Sequence, residues 1–242
     1  MPEMEQSNLK IMGESHSGGG SFNKMSIMGE CTIDGDATAE SCRVMGECRI
    51  TGDFSSKKLK NMGELTINGN MTISEGNILG TTVVTGDCRV KALTLYGQLD
   101  CSGNITGEEA KIGGVLNIDG NLTLEKLTMR GGLHVGGLLN ADTIDIRLKY
   151  NVNNFVHEIG AASIAIRKRR SLITHGPLSR LHADVIEADQ IYLEQTDAQM
   201  VRGKNVVIAS GCKIERVEYT ESYQLDGHGE VGEAVQIERA SK

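Results

Sequence analysis

Asp34, Asp36, Asp53 and Asp87 stand beside glycines in the phrases IDGD and TGD, and Asn70 closes the matching NGN phrase that Asn68 opens. Carboxylates and amides stacked at a fixed interval are the chemistry of calcium-binding repeats. The GGxGxDx frame of nine-residue calcium repeats is absent, so these residues are expected to be solvated corners. Cys31 and Cys48 share one column of the repeat, and with Cys42, Cys88, Cys101 and Cys212 they make six thiols without a CxxC pair. Zinc is therefore not indicated, and the stacked pair reads as small apolar core residues. The six histidines (His16, His134, His157, His175, His182, His228) are scattered. His134 precedes an inward Val and belongs on the outer face. His175 and His182 flank a basic stretch and are close enough in sequence to approach each other, but HGP is turn chemistry. No GxxxxGK[ST] phosphate loop or GxSxG elbow occurs. The chain is thus expected to be no enzyme and to carry no catalytic residue, metal site or cofactor.

Residues 147–181 hold a net charge of plus six in a chain whose total is minus seven. Arg167, Lys168, Arg169 and Arg170 are the densest part. They are the expected contact for an anionic lipid surface or an acidic protein partner. Nucleic acid is not expected, because the remainder is acidic and few aromatics are available for stacking. Met28, Met45 and Met62 form a short exposed ladder before three glycines. The N-terminal segment is expected to pack on it, with a partner as the second choice.

What must position all these residues is a repeat. Gly29, Gly46, Gly63, Gly80, Gly97, Gly114 and Gly131 recur every 17 residues, and Gly35, Gly52, Gly69, Gly86, Gly103, Gly120 and Gly137 form a second series. Between them apolar residues alternate at a spacing of two, in three short runs per phrase: Cys48 and Ile50, then Phe54, then Leu59 in one phrase, for example. Spacing of two is strand periodicity, and so many glycines would break helices. Three short strands in identical register can only wind into a coil. The expected fold is all-β: a right-handed parallel β-helix, a triangular solenoid of about 17 residues per coil, with the hand taken from the rule for parallel crossovers. Aromatic residues are only 3% of the chain, so Val, Ile, Leu, Met, Cys and Ala must fill the core. One coil buries too little to offset the ordering of its backbone, which is why the phrase repeats.

The expected organisation is a flexible N-terminal tail over 1–22, regular coils over 23–166, a basic loop over 167–181, coils nearer fifteen residues over 182–220, and a polar tail over 221–242. In 144–160, Leu148 and Asn154 take the two glycine places, with Tyr150, Val152 and Val156 inward. Beyond the loop, Ala183 with Val185 and Ala198 with Met200 are read as inward pairs. No apolar run has the length of a signal sequence or a membrane span, so a cytoplasmic location is expected.

Open ends of regular sheets template further strands. Phe22, Met25 and Ile27 at one end, and Val217, Tyr219, Tyr223 and Leu225 at the other, are the expected polymer interface. Here the chain resembles the bactofilins, in the tandem GECTIDGD, GECRITGD and GELTINGN phrases and in the closing VRGKNVVIASGCKIERVEYTES. The resemblance implies a right-handed triangular β-helix that polymerises without nucleotide through apolar terminal coils. It further implies non-polar filaments that scaffold other proteins, often at the inner membrane, in cell shape, appendage or motility functions. Two other readings are a monomeric solenoid adaptor that binds a partner through its face and basic loop, and an acyltransferase of the hexapeptide type. The latter repeats at six within eighteen residues, whereas this chain advances by seventeen.

Overall fold

A computed structural model describes residues 7–149, 152–168 and 179–238. The described residues are all-β, with parallel strands stacked as a β-solenoid. They contain no helix long and apolar enough to cross a membrane. The chain forms two compact units, Met1–Gly120 and Asn121–Lys242.

In the first unit, four-residue strands such as Glu47–Ile50 and Glu64–Ile67 alternate with eight-residue strands such as Phe54–Asn61 and Met71–Ile78. Each pairs with its equivalent 17 residues on, as Cys48 does with Leu65 and Phe54 with Met71. In the coil that starts at Cys48, the buried residues are Cys48 and Ile50, Phe54 and Ser56, and Leu59 and Asn61. Two or three outward residues separate each pair from the next, so the coil has three sides and three corners. The longer strand passes through one corner unbroken, where Lys57 and Lys58 both point outward.

Some inward positions are polar. Asn61 is fully buried, and its Nδ2 donates to Thr81 O at 2.7 Å and to Thr82 Oγ1 at 2.9 Å, while its Oδ1 accepts from the Gly63 N–H at 3.0 Å. Thr82, also fully buried, stands between Leu65 and Leu99 in the same column. An unpaired amide there would cost about 1–3 kcal/mol, and the pair leaves neither group unsatisfied.

The expected tail over 1–22 is corrected for its described part. Ser7–Ile11 and Ser15–Ile27 are strands, with Leu9 paired to Met25 and Ile11 to Ile27. The coil was hidden because its first inward positions are Ser15, Ser17 and Gly20 instead of apolar residues.

In the second unit, Leu122–Met129 pairs with Gly132–Leu148 at the 17-residue step. The register then shifts between Val135 and Leu138: Val135 faces Val156, but Leu139 faces Ile159. One corner residue has been lost. From Leu181 the inward residues are Leu181, Ala183, Ile186, Ala188, Ile191, Leu193, Thr196 and Ala198, and strand Leu181–Leu193 pairs with Thr196–Ile208 at a step of 15. Val185 and Met200 are half-buried at corners, and Ile186 and Val201 take the inward places assigned to them from sequence. The physical reason is that two adjacent outward residues occupy each corner, which displaces the alternation by one.

Asn154 is likewise not a corner. It is fully buried opposite Leu181, with Oδ1 accepting from the Leu133 N–H at 3.1 Å and Nδ2 donating to Val152 O at 3.4 Å and Arg180 O at 3.3 Å. Val152 is half-buried beside it, and Tyr150 lies outside the described residues. The polar tail expected from 221 is also corrected: strand Lys213–Leu225 runs past it, and Glu230–Gln236 pairs with Lys213–Tyr219.

Candidate functional site

The corners of the first unit are built by two glycine columns doing different work. In the first column a Cβ on Gly46, Gly63, Gly80, Gly97 or Gly114 would lie inside the carbonyl oxygen of the glycine one coil earlier. Only hydrogen fits between backbones that approach so closely. The second column leaves room for a side chain. Oδ1 of Asp36 accepts from the Asp53 N–H at 2.8 Å, Asp53 from Asn70 at 2.7 Å, Asn70 from Asp87 at 2.9 Å and Asp87 from Asn104 at 2.7 Å. A Cβ on Gly52, Gly69, Gly86 or Gly103 would strike that oxygen. The residues that suggested calcium chemistry are therefore caps, each holding a main-chain N–H of the following coil. Asp34 is different: it contacts His16 across the first coil.

The cysteines are interior. All six are buried free thiols. Burial pushes Cys42 up to about 12 and Cys101 to about 11, and it raises Cys31, Cys48, Cys88 and Cys212 as well. Thiols held in this way are poor nucleophiles.

The most unusual surface feature is apolar. Met28, Met45, Met62, Leu79 and Tyr96 precede the first five glycines of the first column, Met12 precedes Gly13 one coil earlier, and the exposures of Met12, Met28, Met45, Met62, Leu79 and Tyr96 are 70%, 39%, 41%, 40%, 46% and 66%. The ladder expected at three methionines is thus twice as long, and the strands formed by the N-terminal segment do not cover it. The position before each glycine was the available signal for Met12, Leu79 and Tyr96.

Its two flanks differ in sign. On the side before the corner stand Lys10, Ser26, Arg43, Lys60, Asn77, Thr94 and Lys111, paired coil to coil. On the side after it, Glu30 is paired to Glu47 and Glu47 to Glu64, with Glu14 one place before Ser15. Elsewhere on this unit charges neutralise one another between coils, as in Lys57 with Glu40 at 2.6 Å and Lys91 with Glu108 at 3.4 Å. The glutamate stack has no such partner among the described residues. Like charges directly opposed in a ladder are destabilising.

The second unit carries the other expected contacts. Arg167 lies 3.3 Å from Asp145 and 5.4 Å above the Tyr192 ring, so its guanidinium is engaged within the protein. The Lys168 main-chain N–H donates to Glu194 Oε2 at 2.6 Å. Arg169, Arg170 and His175 lie outside the described residues. Outward on one side, His134 stacks on Phe155 with centroids 5.3 Å apart, Phe155 pairs with His182, and His182 with Asp197. Arg180 forms a two-pronged pair with the same Asp197, through Nε to Oδ2 at 2.7 Å and through Nη2 to Oδ1.

Of the expected polymer contacts, Met25, Ile27 and Val217 are corrected to core. Each is 0% exposed, because a further coil covers it: Leu9 and Ile11 at one end, Ala234 at the other. Phe22 is half-buried between Ser7 and Ala39. Tyr219 and Tyr223 stack with centroids 5.4 Å apart, and Leu225 is 47% exposed. Among the described residues no strand pairs with the edge of Ser222–Leu225 away from Asn205–Ile208, since Glu230–Gln236 reaches only to Tyr219.

Each unit of the chain is thus a parallel β-solenoid. Two Bacillus subtilis proteins are similar in sequence. Uncharacterized protein YhbF is 38% identical over 100 residues, which is 41% of this chain and 42% of that protein. Uncharacterized protein YhbE is 38% identical over 92 residues, covering 37% and 38% of the two chains. The matched stretch therefore spans about two fifths of each of these relatives. No family model and no solved structure matches the chain.

Proposed function

We propose that the protein is a structural scaffold that assembles into filaments by stacking terminal coil on terminal coil, without nucleotide, and holds other proteins in place, in the manner of the bactofilins it resembles. The observation that supports this reading most directly is the last described coils, where no described strand pairs with the outer edge of Ser222–Leu225 and Leu225 is 47% exposed beside the Tyr219–Tyr223 stack. Open main-chain donors and acceptors next to uncovered apolar side chains are what another parallel coil needs. A cytoplasmic position against the inner face of a membrane belongs to the same reading.

The test is electron microscopy of the purified full chain without nucleotide, beside Leu225→Arg and Phe22→Arg. Filaments that disappear in Leu225→Arg are the expected result. Filaments that persist in both variants, or single particles at every concentration of the unaltered protein, would overturn it.

A further inference from the structure

We propose that the apolar ladder of the first unit is a lateral docking edge for a second copy of this chain, and that the two ladders run parallel, related by a two-fold axis along the solenoid axis.

The occupant follows from the charges. Viewed from outside, the ladder of Met28, Met45 and Met62 has a basic column on one flank (Arg43, Lys60) and an acidic column on the other (Glu30, Glu47, Glu64). A partner must present an apolar strip with the opposite arrangement. A second copy rotated about an axis parallel to the ladder does so: the rotation exchanges left and right, so each basic column lies over the partner's acidic column at the same height. Rotation about an axis across the ladder reverses its direction but leaves left and right unchanged, and it would set glutamate on glutamate. Charge complementarity therefore selects the parallel pair.

The chemistry of the edge suits the contact. The corner is blunt, with Met62, Gly63 and Glu64 all lying between inward Asn61 and Leu65. Methionine is long and adaptable, and it packs well against copies of itself. Lys60, Arg43 and the glutamates are exposed side chains long enough to reach past the ridge. Pairing also relieves the uncompensated glutamate stack, whose repulsion the isolated unit otherwise carries. The outer columns, which include Lys58, Glu75, Arg49 and Asp100, are mixed in sign, so the discrimination rests on the two columns beside the ladder.

The pairing goes beyond end-to-end assembly, and the test is made in full-length Leu225→Arg so that end stacking plays no part in its outcome. Single cysteines replace Met28, Met45, Met62, Leu79 or Tyr96 in turn, and each variant is mildly oxidised. The native thiols are buried, and Leu225→Arg without an added cysteine is the control. A parallel two-fold places every ladder residue beside its own copy, so all five variants should form disulfide-linked dimers. Cross-linking at one position only, as an antiparallel pair would give, or at none, as binding to a different protein or a membrane would give, overturns the proposal. Sedimentation equilibrium supplies a second readout that needs no cysteine. Lys60→Glu should weaken the dimer roughly tenfold, because two attractive contacts become repulsive. The swap Lys60→Glu with Glu64→Lys should restore it, since both copies then exchange sides together. A double variant as weak as the single one would sink the parallel arrangement.

Discussion

The two units solve one geometric problem with different coils. From Cys48 the three sides of a first-unit coil advance by six, five and six residues, to Phe54, Leu59 and Leu65. From Leu181 in the second unit they advance by five, five and five, to Ile186, Ile191 and Thr196. The extra residue at two corners of the first unit bulges the backbone toward the neighbouring coil, and it is these corners that need stacked glycines and Asp or Asn caps. Between Leu181 and Ile208 the only glycine is Gly203, and it stands opposite Ala188 on a side of the coil. There, one corner residue, Gln195, takes the left-handed conformation with φ of 50°. The glycine code thus belongs to the six-residue side, while the five-residue side turns on ordinary residues.

Placing a methyl group in each kind of backbone would break this comparison most severely. Gly63→Ala drives its Cβ into the Gly46 carbonyl, and a cost of about 3 kcal/mol or more is expected. Gly160→Ala in the second unit meets Asn140 Oδ1 at 3.3 Å and Leu138 Cδ1 at 3.9 Å, both side-chain ends, and should stay within about 0.5 kcal/mol of neutral. Chemical denaturation followed by circular dichroism measures both, and equal losses would abolish the distinction. Next come the buried amides. Asn61→Ala and Asn154→Ala each remove three hydrogen bonds from a fully buried site and should cost about 2–3 kcal/mol alike, a dependence the two coil types share.

A smaller effect separates the units again. Asp53→Ala removes the acceptor for the Asn70 N–H and should cost about 1–2 kcal/mol, while Asp53→Asn keeps it and should be nearly silent. In the second unit, Asp189→Ala loses only an exposed pair with Lys204 and should cost less than about 1 kcal/mol. Smallest is Glu218, whose carboxyl is held below its ordinary range by hydrogen bonds from Arg202 and Arg216. A depressed carboxyl adds stability above the pKa of the unfolded chain and loses it as pH falls through the folded value. The difference between the protein and Glu218→Gln should therefore be present at neutral pH and close at pH values below about 4, the range of an unfolded glutamate. A gap that stays constant with pH would show that the two arginines do not set it.

The solenoid itself was legible because the 17-residue spacing repeats without error from Gly29 to Gly131 and the inward columns carry almost nothing but apolar residues. Where polar residues enter a column, sequence failed. The pattern places Asn154 at a corner although it is buried, since an amide with its hydrogen bonds satisfied is indistinguishable in sequence from a solvated one. Ser15, Ser17 and Gly20 concealed a whole coil for the same reason. That concealment moves the expected polymer contacts inward: the pattern places Met25 and Ile27 at an end, whereas Leu9 and Ile11 already cover them. The Met ladder was visible as a column, but its continuation through Leu79 and Tyr96 required attention to position in preference to residue type.

The stacked glycines also make the first unit a ruler with fixed graduations. Removing residues 47–63 would join Gly46 to Glu64, a junction identical in kind to the native one, and every column above and below would meet an equivalent residue. Such a chain changes length only in whole steps of about 4.8 Å, one coil at a time. Any cut that is not a multiple of seventeen shifts glycine onto side chain at each remaining corner, so intermediate lengths are forbidden by the same close approach that holds the coils together.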